Sequence, residues 1–405
     1  MITQHLSVRD VVQIDKYDIV VIGGGIQGVG VAQAAAAHGY TVLLLEQTDF
    51  AAATSSRSSK LIHGGLRYLE TAQFSLVREC LRERSILLKV APDLVKLVPF
   101  FIPVYKQTSR RPGIIRLGLS LYALLGGLKK SHRFHKIPKT KWRNPDGLDT
   151  NHLQAVFQYY DGQTDDAALT RAVARSAMNM GAAISMPAQF VSAHIENNNC
   201  SVLYRHNDKE VTCDTKAVVN AAGPWVNQVL NKFIPAPRCL PVDMVQGTHI
   251  LLRDKITGGI YYVEAPQDQR AVFVMPWKDQ TLVGTTETIY SGSPDLVKPL
   301  ETEIDYLYNT AAHYFPRYRE RKNDFYKNAF AGLRILPSGS SPVFHRTRDT
   351  ILHTNQTDHP RVVSIYGGKL TAYRATAEKV IKQLQPALPA RKAIATTRTL
   401  RLEPV

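Results

Sequence analysis

The pattern of apolar and polar positions is clearest near the start of the chain, between Tyr17 and Glu46. The run DIVVI is short, apolar and β-branched, and the later run TVLLLE has a similar character, so each predicts a buried strand. Between them lies an alanine-rich segment up to His38 that predicts a helix, which Gly39 is suited to end. Strand, helix and strand in this order predict a βαβ unit of an α/β fold.

Three glycines lie where the first strand passes into the helix. Gly23, Gly25 and Gly28 form G-x-G-x-x-G, in which the first allows a tight turn, the second a close approach to a pyrophosphate and the third helix packing. The phosphates would lie at the helix N-terminus, which favours anions. Glu46 ends the second strand and can accept hydrogen bonds from an adenosine ribose. The unit predicts dinucleotide binding but leaves FAD and NAD open, and a structural glycine turn is the alternative.

The later patterns predict more of both kinds of element. Residues 71–92 and the segment from about Asp166 to Met180 are typical of helices, and Gly181 would close the second. Short alternating runs at 190–195, 201–205 and 210–213 predict an antiparallel meander, and AVVN at 217–220 predicts a strand that returns to the first sheet. The runs THILL, AVFVMPW and TLVGTTE predict the sheet of a second domain. RVVSIYGGKLTAYRATAEKVIKQL predicts a strand, a glycine turn and a helix.

The length of 405 residues suggests two interleaved or sequential domains. No run of 18 apolar residues occurs, and residues 1–16 lack the apolar core of a signal peptide, so we expect neither a membrane span nor secretion. Cys80, Cys200, Cys213 and Cys239 show no metal-ligand spacing. They are expected to be reduced structural thiols of a cytosolic chain, and we expect no metal site.

The charge of the chain is concentrated in one segment. Lys and Arg number 50 against 34 Asp and Glu, a net charge of +16, and residues 94–145 contain twelve of these cations and no acid. Within this segment, Ile114–Leu128 is apolar, too short to span a bilayer but suited to lie on one. An anionic membrane surface is therefore the predicted partner. A core helix with solvated basic flanks is the alternative, and nucleic acid is not expected because no motif for it occurs.

One motif carries a family resemblance. After GGGIQGVG, the run TSSRSSKLIHGGLRYLE at 54–70 closely resembles the FAD-dependent, aerobic-type glycerol-3-phosphate dehydrogenases, in a short form without their C-terminal helical domain. The resemblance covers roughly Asp15 to Leu384 and implies FAD rather than NAD. It implies an FAD-binding Rossmann-like domain of the glutathione-reductase and D-amino-acid-oxidase type with an interleaved, mainly antiparallel substrate domain.

The implied domain boundaries interleave along the chain. The FAD-binding domain is expected at 15–93, 146–235 and 330–385, and the basic membrane-facing segment at 94–145. The substrate or cap domain is expected at 236–329, with part of 182–216 open between the two, and a tail at 386–405. The implied reaction oxidises sn-glycerol 3-phosphate to dihydroxyacetone phosphate by hydride transfer to the flavin. Electrons would pass to a membrane quinone, which places the protein peripherally on the cytoplasmic face of the inner membrane.

The chemistry of this reaction and the matched motifs together select candidate residues. His249 is the predicted base, because a neutral imidazole with a pKa near 6.5 can take a hydroxyl proton. Arg334 and Lys369 join it as catalytic candidates, since cations can hold the substrate's anionic end. The predicted substrate contacts are Arg67, Tyr68, His249, Arg334, Arg348 and Lys369. The predicted cofactor contacts are Gly23, Gly25, Ile26, Gln27, Gly28, Glu46, Thr54, Ser55, Ser56, Ser58, Ser59, Lys60, Leu61, His63, Gly64, Ala222, Gly223, Gly367, Gly368, Lys369 and Leu370.

Two departures from the family pattern concern the substrate side. Gln246 stands where a Lys is common, and Ile335 follows Arg334 where Pro is usual. An oxidase of a related small hydroxy acid, amino acid or phosphorylated polyol that reduces O₂ is therefore the alternative reaction. A flavin-binding protein without catalysis is a third interpretation, which the presence of His249, Arg334, Arg348 and Lys369 disfavours. The sequence leaves the oligomeric state open.

Overall fold

The computed structural model describes residues 15–142, 146–319, 321–339, 346 and 349–405. Arg348, a predicted substrate contact, and Arg143, one of the twelve cations at 94–145, lie outside the described residues. The strands, in chain order, are β1 (Asp15–Ile22), β2 (Val42–Leu45), β3 (Leu61–Ile62), β4 (Val95–Tyr105), β5 (His135–Lys136), β6 (Leu153–Thr164), β7 (Ala183–Ser185), β8 (Ala188–Ile195), β9 (Cys200–His206), β10 (Lys209–Asn220), β11 (Phe233–Ile234), β12 (Val242–Leu252), β13 (Ile260–Glu264), β14 (Ala271–Trp277), β15 (Gln280–Gly284), β16 (Thr288–Tyr290), β17 (Tyr326–Pro337), β18 (Ile351–Thr354) and β19 (Val362–Tyr366).

Eight α-helices occur within the described residues. They are α1 (Ile26–Ala37), α2 (Phe74–Val90), α3 (Pro112–Leu125), α4 (Asp166–Asn179), α5 (Val226–Leu230), α6 (Glu301–Tyr314), α7 (Lys322–Phe325) and α8 (Tyr373–Leu384). The start of α4 has a clear cause, because the Asp165 side chain accepts a hydrogen bond from the Ala168 amide at 3.1 Å. The helices predicted at 71–92, at 166–180 and after the second glycine turn are thus confirmed.

The first sheet contains the predicted βαβ unit. Its parallel layer has the order β7-β2-β1-β10-β19, and the antiparallel meander β8-β9-β10 continues from it. Alternate residues of β1 face opposite sides, as a strand requires. Ile19 and Val21 pack with α1, α4 and α8, whereas Val20 and Ile22 pack with the β8-β9 meander. Both faces of β1 are therefore covered, which explains its continuous apolar run.

The second sheet is mainly antiparallel, as predicted. Its main path is β16-β12-β15-β14-β13-β4-β6-β3, with β17 paired to β12 and β5 to β6, and β13 and β4 are parallel. Apolar residues of α6 such as Leu307 pack on one face of this sheet, and residues of α2 and α3 pack on the other. The predicted Rossmann-like unit with an interleaved, mainly antiparallel second unit is thereby confirmed.

The chain crosses between the sheets differently from the expected boundaries. Residues 95–105, expected to open a separate basic segment, form β4 inside the second sheet, where they pair with β6. β6 itself and residues 330–337 of β17 also belong to the second sheet, although both were expected in the FAD-binding domain. The physical reason is that β4 is apolar apart from Lys96, while most cations of the segment follow the strand. A charge count over the whole segment hides such a strand.

The last residues of the chain pack against the first unit. Leu402 is 1% exposed, and its amide donates a hydrogen bond to the Val90 carbonyl at 2.6 Å. Arg391 forms an ion pair with Asp18 at 3.0 Å. The segment expected as a tail at 386–405 is therefore anchored to the FAD-binding unit.

Helix α3 has two apolar faces. Ile115, Leu119 and Tyr122 are buried in the second unit, whereas Ile114, Leu117 and Leu124 are 59–67% exposed. Beside the helix, Arg110 is not a free surface cation, because Glu70 and Glu264 each bind its guanidinium at 2.5 Å. Across the described ranges, no helix is long and apolar enough to cross a bilayer.

Candidate active site

A cavity of about 800 Å³ extends from the glycine turn of the first sheet to the second sheet. Its walls come from the β1-α1 turn, the loop after β2, the ends of β10 and β19, and strands β12 and β17. These elements are distant in sequence. The cavity therefore exists only because the two sheets are interleaved.

The glycine turn has both structural and open positions. Gly23 has φ +108°, and a Cβ there would lie 2.7 Å from the Ala221 carbonyl oxygen. A Cβ on Gly28 would lie 1.9 Å from the Gly23 carbonyl oxygen, and Gly28 does not line the cavity. A Cβ on Gly25 would instead meet only Ser55 Oγ, at 3.1 Å, and would face the cavity. Gly23 and Gly28 are thus required by the fold itself, and Gly25 leaves space for a ligand.

Glu46 supports this turn as well as lining the cavity. Its Oε2 accepts a hydrogen bond from the Gly24 amide at 2.6 Å, and its Oε1 accepts one from the Thr48 amide at 2.8 Å. The N-cap residue of helix α1, Gly25, has no side chain to cap it, and of the first amides only that of Ile26 is bound by a described side chain, Ser55 Oγ at 2.9 Å. The first turn of α1 contains no acidic residue and its first residues line the cavity, so this N-terminus is suited to an anion.

The serine-rich loop after β2 contributes only part of the predicted cofactor set. Lys60 is 5% exposed and turned away from the cavity, because its Nζ donates hydrogen bonds to Asp166 Oδ1 at 2.6 Å and to the Ser56 carbonyl at 2.5 Å. The Gly64 amide is bound by Tyr122 Oη at 2.8 Å. Ser56, Lys60 and Gly64 therefore do not line the cavity and support the loop instead. The predicted residues that do line it are Gly23, Gly25, Ile26, Gln27, Glu46, Thr54, Ser55, Ser58, Ser59, Leu61, His63, Ala222, Gly223, Gly367, Gly368, Lys369 and Leu370.

His249 lies on β12, 2% exposed, on the cavity wall. Its Nε2 is 2.8 Å from Ser59 Oγ, and its ring stacks on Phe330 with centroids 5.0 Å apart. Burial first, and then the nearby positive charges of Lys60 and Arg334, together lower the pKa of His249 to about 3. The imidazole is therefore neutral around pH 7, as a proton acceptor must be, but it is a weaker base than the histidine with a pKa near 6.5 that the sequence predicted.

The predicted substrate cations share the same wall. Arg67 and Arg334 both line the cavity, and burial lowers the pKa of Arg334 to about 10, so it remains charged at neutral pH. Lys369 Nζ lies 3.9 Å from the centroid of the ring of Tyr68, the residue that follows Arg67 in the sequence. Five of the six predicted substrate contacts thus line the cavity, namely Arg67, Tyr68, His249, Arg334 and Lys369. The sixth, Arg348, lies outside the described residues.

Sequence reasoning missed several residues of this wall. Glu287 follows β15 and has a side chain that is 4% exposed, between Arg67 and Arg334. Tyr262, Arg270 and Phe273 also line the cavity. The only sequence signal for Glu287 is a single acid at the end of the run TLVGTTE. Its partners come from β17 and from the loop after β3, which are distant in sequence.

Of the two residues that differ from the family pattern, Ile335 lines the cavity and Gln246 does not. Gln246 is 1% exposed, and its Nε2 donates a hydrogen bond to Glu303 Oε2 at 2.6 Å. Burial alone would raise the pKa of Glu303, but hydrogen bonds from Thr248, Thr286 and neighbouring groups outweigh it and lower that pKa. Gln246 thus serves a buried network behind β12, whereas Ile335 lies on the cavity wall with its side chain 4% exposed.

The cavity fits a dinucleotide with a polar ring system. Buried atoms of its wall that have no hydrogen-bond partner among the described residues include Gln27 Oε1, His249 Nδ1 and Lys369 Nζ. Such atoms are costly unless a bound group satisfies them. Together with the space at Gly25 and the N-terminus of α1 beside it, they fit the donors and acceptors of FAD. No cluster of three or more His, Cys, Asp or Glu that could hold a metal occurs in the part of the chain that is described.

The sequence matches a family model described as FAD dependent oxidoreductase over residues 18–374. It is 37% identical over 381 residues to the D-erythritol 1-phosphate dehydrogenase of Brucella abortus, covering 92% of this chain and 74% of that protein. It is 36% identical to the aerobic glycerol-3-phosphate dehydrogenase of Escherichia coli K12, covering 91% of this chain and 73% of that protein.

A similar fold occurs among solved structures. The structure of the glycerol-3-phosphate dehydrogenase from Bacillus halodurans, complexed with FAD, superposes with a TM-score of 0.75 at 26% identity. The match covers 96% of this chain and 68% of the other. The fold around the cavity is therefore one in which FAD is found.

Proposed function

Because the chain belongs to the FAD-dependent oxidoreductase family together with glycerol-3-phosphate dehydrogenases, we propose that it oxidises sn-glycerol 3-phosphate to dihydroxyacetone phosphate. The observation that supports this most is the composition of one cavity wall. A neutral buried His249 lies there with the cations Arg67, Arg334 and Lys369. A secondary alcohol phosphate needs both a proton acceptor and a cationic clamp.

The residues have distinct proposed roles. His249 accepts the proton of the substrate hydroxyl, and its hydrogen bond with Ser59 fixes the orientation of its ring. Arg67 and Arg334 bind the phosphate, because a planar guanidinium donates two parallel hydrogen bonds to two oxygens. Lys369 supplies a further cation. FAD, when bound, supplies the hydride acceptor, and the Gly23–Gly25 turn, Glu46 and residues 367–370 would hold it.

A second candidate substrate is a four-carbon polyol phosphate. The relative named D-erythritol 1-phosphate dehydrogenase is 37% identical to this chain, as similar as the relatives named for glycerol 3-phosphate. Both substrates combine a phosphate with a secondary alcohol. The ratio of kcat/KM for the two, measured with one acceptor, decides between them.

The first prediction tests the phosphate clamp. Arg334→Ala should lower kcat/KM for glycerol 3-phosphate by about one to two decades, because one charged hydrogen-bond partner contributes roughly 1.5–3 kcal/mol. The same variant should change turnover of unphosphorylated glycerol far less. Anaerobic bleaching of the bound flavin measures both reactions without an added acceptor. Arg253→Ala, a change outside the cavity, serves as the control, and equal losses on both substrates would show that Arg334 does not bind the phosphate.

We further propose that electrons pass to a membrane quinone and that α3 attaches the protein to the cytoplasmic face of the inner membrane. The exposed apolar side chains Ile114, Leu117 and Leu124 lie on one face of this helix, and the exposed Arg116 lies beside that face. Apolar insertion and attraction of cations to anionic lipid reinforce each other. An oxidase that uses O₂ would have no need for such a patch.

Sedimentation with liposomes tests this attachment. The wild-type protein should co-sediment with vesicles that contain anionic lipid and be released by high salt, since salt screens the charges. A Leu117→Glu, Leu124→Glu double variant should stay in the supernatant and keep its FAD. Ile394→Glu is the matched control, because Ile394 is 64% exposed but lies near the C-terminus. Unchanged sedimentation of the double variant would show that α3 is not the attachment site.

A further inference from the structure

Glu287 holds together the two arginines that would bind the phosphate. Its Oε1 lies 3.5 Å from Arg67 Nη1 and 3.3 Å from Arg334 Nη1. Arg270 Nη1 also donates a hydrogen bond to the Glu287 carbonyl at 3.4 Å. The Glu287 side chain is 4% exposed, so solvent screens this cluster little. The carboxylate and both guanidinium groups therefore act as one unit on the cavity wall.

A carboxylate at this position changes what the clamp can bind. Arg67, Arg334 and Lys369 supply three positive charges near the proposed phosphate position, and Glu287 offsets one of them. A phosphate monoester carries about −1.5 to −2 charges at neutral pH. Without Glu287 the wall would exceed the charge of its ligand, and any small phosphate would bind tightly.

We infer that Glu287 is a specificity-determining residue that weakens binding of phosphate as a bare anion, so that the polyol part of the substrate must contribute to recognition. This inference rests on the proposed function only in taking a phosphate monoester as the ligand. Weaker binding of the phosphate also favours release of the product, because the product carries the same phosphate as the substrate. Glu287 thus balances capture of the phosphate against its release.

Calorimetric titration of inorganic phosphate into the FAD-loaded protein tests the inference. Glu287→Gln keeps the size of the side chain and removes its charge, so phosphate should bind on the order of tenfold more tightly, because a negative charge a few ångströms away is lost. Glu287→Asp keeps the charge and should bind phosphate close to the wild-type affinity. Glu264→Gln, which removes the carboxylate from the ion pair with Arg110 outside the cavity, should also match wild type.

Each outcome of the phosphate titration either supports or overturns the role of the Glu287 charge. Tighter binding in Glu287→Gln alone supports a role for the charge. Phosphate binding that is unchanged or weaker in Glu287→Gln overturns the inference, as does an equal change in Glu287→Asp, which would show a role in shape. The measurement does not depend on turnover. A wild-type protein that fails to oxidise glycerol 3-phosphate would refute the proposed function and leave the phosphate titration readable.

Discussion

Purified Gly25→Val protein should be folded but colourless, with no bound FAD. A Cβ at Gly25 meets only Ser55 Oγ within 4 Å, at 3.1 Å, so a small shift of this serine side chain makes room for the start of a side chain. The space that the valine enters lies at the N-terminus of α1, where the second glycine of the motif lets the backbone approach a pyrophosphate. Flavin absorbance measures the loss of FAD, and circular dichroism checks that the fold is retained.

Two other glycines provide the comparison. Gly28→Val should prevent folding, because its Cβ would lie 1.9 Å from the Gly23 carbonyl oxygen. Gly118→Val, in α3, should keep both fold and FAD, because a Cβ there meets no atom within 4 Å. Full FAD occupancy in Gly25→Val would refute the assignment of this turn to the pyrophosphate.

The parts of the fold that sequence could predict depend on local signals. The glycine turn, the alanine-rich α1 and the apolar strand β1 lie within 23 residues of one another, so each supports the others in one short stretch. The same holds for the turn between β19 and α8. Period and turn chemistry are enough in such segments, because they report burial and backbone geometry directly.

The parts that sequence could not predict depend on distant pairing. β4 joins the second sheet by pairing with β6 and β13, and the residues at 95–105 contain no signal that identifies those two strands as its partners. Glu287 belongs to the site because Arg67 and Arg334 reach it from two other elements. Lys60 was predicted to contact the cofactor because of its position in the motif, and the structure places it elsewhere. Its ammonium group donates a hydrogen bond to Asp166, which lies 106 residues away in the sequence.

His249→Asn should lower kcat for glycerol 3-phosphate by about two to four decades while FAD remains bound, the usual contribution of a general base. KM should change little, because the phosphate clamp lies on other side chains. His359→Asn, an exposed histidine outside the cavity, is the matched control. A loss of less than about tenfold would transfer the base role to another group on the wall.

The pH dependence of the wild-type protein checks the same assignment independently. Burial lowers the pKa of His249 to about 3, so protonation removes the base only at pH values well below neutrality. The substrate phosphate itself takes up a proton at about pH 6. As the pH falls from about 8 to about 5, kcat/KM should therefore show only the decline that the substrate causes, and His249 should add none near 6.5, the value of an exposed histidine. The sign follows from the cause: desolvation disfavours the charged imidazolium and extends the range of the neutral base toward acid. A decline near 6.5 that disappears in His249→Asn would mean that the working imidazole is exposed to solvent and not buried against Phe330.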